Sequence, residues 1–70
     1  MASLKKRSLL LSGHATSIAL EPEFWAVLDA MAAGRGSSLA QLIISIDRAR
    51  EGRPLASACR VAALMHAQGR

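Results

Sequence analysis

Residues 15–20, ATSIAL, constrain the fold more than any other stretch of this chain. Thr16, Ile18 and Leu20 alternate with Ala15, Ser17 and Ala19, so one face is apolar and the other is small. That period of two predicts a half-buried β-strand. A strand cannot satisfy its own backbone N–H and C=O groups, so it requires a neighbour. Two neighbours are available. Residues 8–12, SLLLS, can fold back through a turn at Gly13-His14, or the same strand of a second chain can pair with it.

Beyond this strand the chain reads as helical. Glu21-Pro22-Glu23 has the features of a helix start, because proline at the first helical position forfeits no hydrogen bond and carboxylates favour the positive end of the helix dipole. Phe24, Trp25, Leu28, Met31 and Ala32 recur at spacings of three and four, which gives a wide apolar face. Gly34-Arg35-Gly36 supplies the glycines that end helices. Ser38-Leu39-Ala40-Gln41 has capping-box spacing and opens a second helix striped by Leu39, Leu42, Ile43 and Ile46. After the break at Gly52-Arg53-Pro54, Leu55, Cys59, Ala62 and Met65 stripe a third helix, expected at about 54–67.

Seventy residues make a single small domain, whose own core is marginal. One cysteine, Cys59, allows no internal disulfide, and two histidines far from it have no metal-ligand spacing. No cofactor or metal is expected. Oligomerisation remains as the stabilising device, and the 51% hydrophobic content provides surface for it. The net charge is +4 and unevenly spread. Lys5, Lys6 and Arg7 precede the strand without an acid, Glu21, Glu23 and Asp29 crowd residues 21–33 without a base, and six arginines follow against Asp47 and Glu51. A basic balance favours polyanionic partners. Residues 1–7 read as a flexible basic arm ahead of a domain over 8–70. No apolar run approaches the roughly 18 residues of a membrane span, so a cytoplasmic protein without a membrane partner is expected.

The strand that runs straight into a helix through Thr16-Ser17-Ile18-Ala19-Leu20-Glu21-Pro22-Glu23-Phe24-Trp25, with the Gly36-Ser37-Ser38 break and a Leu/Ile-rich helix after it, resembles the ribbon-helix-helix family of DNA-binding proteins. From Lys6 to Ile46 it is closest to a small bacterial branch with a Lys6-Arg7-Ser8 start and a Ser12-Gly13-His14 turn. The resemblance implies a mainly α fold with a short β-ribbon, an intertwined homodimer in which two chains contribute one strand each, and an additional C-terminal helix. It implies a dimer core of Ile18, Leu20, Leu28, Leu42, Ile43 and Ile46, with folding and dimerisation as one event. It places Ala15, Ser17 and Ala19 toward the bases of the major groove. Arg35, Ser37 and Ser38 would lie at the helix end that holds phosphate. Lys5, Lys6 and Arg7 would add backbone contacts. The small side chains on the outward face depart from the long polar readers usual for such ribbons.

These features point to a sequence-specific transcriptional regulator, a repressor working on double-stranded DNA as a dimer or as stacked dimers. The alternative is a protein-interaction module, such as an antitoxin that holds a protein partner through the third helix. No nucleophile elbow or metal-ligand spacing occurs, so an enzyme is not expected. His14 reads as a turn residue, Trp25 as packing, Cys59 as a small core residue, and Arg48, Arg50 and Arg53 as a solvated face.

Overall fold

A computed structural model describes residues 3–69. Strands β1 (Lys5–Leu11) and β2 (His14–Leu20) form an antiparallel two-stranded ribbon, and helices α1 (Pro22–Gly34), α2 (Leu39–Ala49) and α3 (Leu55–Ala67) come after it. The ribbon is a hairpin in which Leu11 pairs with His14 and Lys5 with Leu20. Its two-residue turn is Ser12-Gly13, with φ of 52° and 84°. Positive φ at both central positions is what the type I′ turn demands, and its twist matches that of the flanking strands.

The register sorts side chains by face. Leu11, Ile18 and Leu20 point inward and are buried, with Leu9 half-buried beside them. The helices cover this face: α2 packs against β1, α3 against β2, and α1 against both other helices. Trp25, Leu28 and Ala32 of α1, Leu42 and Ile43 of α2, and Cys59 and Ala63 of α3 complete one continuous core. Both ends of α1 and the start of α2 have a chemical cause. Glu21 is the N-cap of α1 with Pro22 at the first position. Gly36, at φ 65°, lets the Gly36 amide reach Ala33 O and the Ser37 amide reach Ala32 O, which closes α1 in a Schellman motif. Ser38 caps α2 in a complete capping box with Gln41.

Three expectations need correction. The arm expected over residues 1–7 is strand from Lys5 onward, because Lys5, Lys6 and Arg7 pair with Leu20, Ala19 and Ile18; residues 1 and 2 lie outside the described residues. The turn falls one residue earlier than Gly13-His14, and His14 begins β2. Most consequentially, β2 pairs within its own chain rather than with a second copy. Ile18, Leu20, Leu28, Leu42 and Ile43 are buried in a single chain, while Ile46 is half-buried. Cys59 and Ala63 of α3 belong to the same core cluster as these residues. In α3 itself the buried stripe is Ala58, Cys59 and Ala63, and Met65 is 45% exposed.

Candidate nucleic-acid interface

The outward face of the ribbon consists of three cross-strand rows: Lys6 opposite Ala19, Ser8 opposite Ser17, and Leu10 opposite Ala15. Five of these side chains are exposed and Ala19 is half-buried. Ser8 Oγ and Ser17 Oγ lie 3.0 Å apart and share a hydrogen bond in the middle row. Leu10 is 66% exposed, the most open large apolar side chain among the described residues. No acidic residue occurs in either strand. Ala15, Ser17 and Ala19 thus share one face, as the alternation predicts. Ser8 and Leu10 join them from β1, and the signal for this was in the sequence: the same period of two, once the turn is set at Ser12-Gly13.

The three basic residues of the expected arm are separated by the strand. Lys6 stands on the outward face. Lys5 alternates to the other side, and its carbonyl accepts a 2.7 Å hydrogen bond from Trp25 Nε1. Arg7 is committed to the fold. Its guanidinium donates to both Asp29 oxygens, at 3.1 and 3.3 Å, and lies 4.7 Å from the centre of the Trp25 ring. Trp25 therefore ties β1 to α1 through one hydrogen bond and one cation–π contact, the packing role expected of it.

The second group of site residues lies in the α1–α2 connection. Ser38 Oγ accepts from the Gln41 amide at 3.0 Å, and Gln41 Oε1 accepts from the Ser38 amide at 3.1 Å. Ser37 Oγ donates weakly to Ser38 O at 3.4 Å, and Arg35 is exposed at the C-cap of α1. The capping box occupies the polar groups of Ser38, so an anion at this end would meet the first amides of α2, the Ser37 hydroxyl and Arg35.

Away from the ribbon, Arg60 and Arg50 are each paired with an acid. Glu21 binds Arg60 at 2.9 Å, and Arg60 also lies over Phe24 at 5.9 Å. The Glu21 carboxyl is held below its ordinary value, first by a backbone hydrogen bond and then by the Arg60 guanidinium. Arg50 binds Asp47 at 2.6 Å. Buried Cys59 is pushed up to about 11 by desolvation, with Asp47 adding to the shift and Arg60 opposing it. A thiol of that kind is inert at neutral pH. Among the described residues no cluster of histidine, cysteine or carboxylate side chains could hold a metal ion, and no helix is long and apolar enough to cross a membrane.

The sequence model of the ribbon-helix-helix domain matches residues 4–67, nearly the whole chain. The chain belongs to the ribbon-helix-helix domain family. Neither a curated protein nor a solved structure matches it. Ribbon-helix-helix domains are in general DNA-binding regulators, typically without enzymatic activity, and members of the family dimerise. The match spans both strands of the hairpin and all three helices.

Proposed function

We propose that this ribbon-helix-helix protein is a sequence-specific transcriptional regulator, a repressor that occupies its operator as a homodimer with the ribbon in the major groove. The observation that carries the reading is the outward ribbon face, which is exposed, bears Lys6 and has no acid to repel phosphate. A two-stranded ribbon fits the width of the major groove. The Ser37-Ser38 turn and Arg35 would rest on the DNA backbone and fix the register without reading sequence. Homodimerisation would place two ribbons on a two-fold operator, with stacked dimers on longer sites. A cytoplasmic location goes with this reading.

The experiment is electrophoretic footprinting on the DNA upstream of the protein's own gene, with random duplex as competitor. A protected segment with two-fold symmetry supports the operator-binding dimer. Binding that random DNA removes completely would contradict sequence specificity.

A second reading, docking of a protein partner on the C-terminal helix, has one observation in its favour. A groove of about 310 Å³ between the end of α2 and α3 is lined by Ile46, Ala58, Val61, Ala62 and Met65, with Arg50 and Arg53 at its rim. Co-purification of a stoichiometric partner that Val61→Glu releases, with DNA binding intact, would favour that reading.

A further inference from the structure

We propose that the groove between α2 and α3 is where two copies of this chain meet, each laying its α3 antiparallel along the α3 of the other. The inference rests on the homodimer of the proposed function and gives it an interface away from the ribbon. Helix α3 carries two apolar stripes. Cys59 and Ala63 belong to the core, whereas Ala58, Val61, Ala62 and Met65 recur at i, i+3, i+4 and i+7 and line the groove of about 310 Å³. Ile46 and Ala49 of α2 form the opposite wall. Between Leu55 and Met65 the only hydrophilic side chains are Ser57 and Arg60, and Arg60 is held by Glu21 beside the Phe24 ring. A helix that is apolar on nearly every side is one that other elements cover. Within the chain that cover stops short of the end of α3. Leu64 and Met65 are 51% and 45% exposed, and they are the two exposed large apolar side chains of the helices among the described residues.

The charges at the rim select the occupant. Arg50 is neutralised by Asp47 at 2.6 Å, while Glu51 and Arg53 have no ion pair among the described residues. One open charge of each sign favours neither an acidic nor a basic partner. A second α3 answers both charges. The middle of the stripe falls at Val61 and Ala62, so a two-fold axis there brings the loop of Glu51 and Arg53 in one copy to the carboxyl end of α3 in the other. That end is the negative pole of the helix dipole, which suits Arg53, and its last turn carries His66, a donor for Glu51. Ala58 and Ala62 let the two helices approach closely, and Val61 and Met65 supply the apolar contact on either side of them. The contact joins two chains that are already folded and leaves the hairpin intact, so dilution separates it into folded monomers.

Equilibrium sedimentation of the full chain, without DNA, tests the interface. The parent should move from the mass of one copy toward that of two as its concentration rises. Val61→Glu and Met65→Glu should stay at the mass of one copy over the same range. Met65 is exposed, so circular dichroism of Met65→Glu should match the parent even if Val61→Glu, at a half-buried position, unfolds. Disulfide trapping locates the axis. A cysteine beside a two-fold axis comes within bonding reach of its own copy. Ala62→Cys should therefore form a linked dimer under mild oxidation, whereas Ala26→Cys, exposed on α1, should not, and buried Cys59 does not compete. A parent that stays monomeric at every concentration overturns the proposal. So does a dimer that persists in folded Met65→Glu, which puts the interface elsewhere. A different protein held in the groove by a chain that is monomeric alone overturns it in favour of the second reading. A dimer lost in Met65→Glu and trapped by Ala62→Cys that binds no duplex sustains the interface and removes the DNA reading alone.

Discussion

Arg7 shows how much one residue's neighbours decide its role. It comes after two lysines in the chain, yet its guanidinium is held by Asp29 and stacked on Trp25. Arg7→Ala should therefore act on stability, whereas Lys6→Ala should act on DNA affinity and flatten its salt dependence by about one phosphate-equivalent contact. Urea titration and salt-dependent binding of the two variants separate these effects; an unchanged midpoint for Arg7→Ala would contradict the structural role. The pair is partly exposed, so its loss should cost no more than about 1 kcal/mol, with the lost ring contact adding to it. At Glu21 the pH dependence has a definite sign. Its folded-state pKa is lowered from the ordinary 4.5, first by a backbone hydrogen bond and then by Arg60, so their stabilisation is fully present above that value and is lost as pH falls through the folded one. Thermal melts of the parent should drop on acidification below about pH 4.5, and Glu21→Gln should drop less. A parallel decline in both would remove Glu21 from the acid response.

The helices were legible in the sequence element by element because their signals are local. Pro22, the Ser38–Gln41 box and the glycines after α1 stand where the chain needs them. Ser38→Ala should cost about 1 kcal/mol, within the range for N-cap removal, and guanidinium unfolding measures it. An unchanged transition would mean that the capping box adds nothing to α2. Strand β1 was half legible: the leucines suggested it, but Lys5-Lys6-Arg7 read as a solvated arm. Charged residues at a strand end are uninformative until the partner is known, and here the alternation of β1 puts Arg7 on the inward face opposite Ile18, where Asp29 and Trp25 hold its guanidinium. The phase of α3 was missed for a related reason. Ala58 and Ala63 are too small to dominate an apolar stripe, whereas Met65 attracts the eye and is exposed. The alternation in β2 shows its outward face, but the β1 half is not legible while the sequence leaves open whether residues 8–12 or a second chain pair with β2.

At the scale of the molecule, the ribbon is formed within one chain. The sequence does not choose between a hairpin and a strand from a second copy, because either satisfies the backbone of β2; in the hairpin, α2 packs against β1 and α3 against β2. Deletion of the chain from Gly52 onward should abolish folding rather than trim a docking surface, as it removes Cys59 and Ala63 from the core and uncovers the faces of α1 and β2 that α3 packs against. Loss of the far-ultraviolet helical signal checks this, and a folded truncated chain would contradict it. A self-contained core also separates folding from assembly: diluted protein should remain folded as a monomer, with a Tm set by the chain and not by its concentration. On the proposed reading, assembly would take place on the operator, where two ribbons would meet adjacent half-sites. The measurement that tests the central claim most directly is fluorescence anisotropy with the duplex upstream of the protein's own gene and with random duplex, across a range of salt. The account predicts tight binding to the upstream duplex, clearly stronger than to random DNA, with affinity for both falling as salt rises. No binding to either duplex at low salt would contradict it.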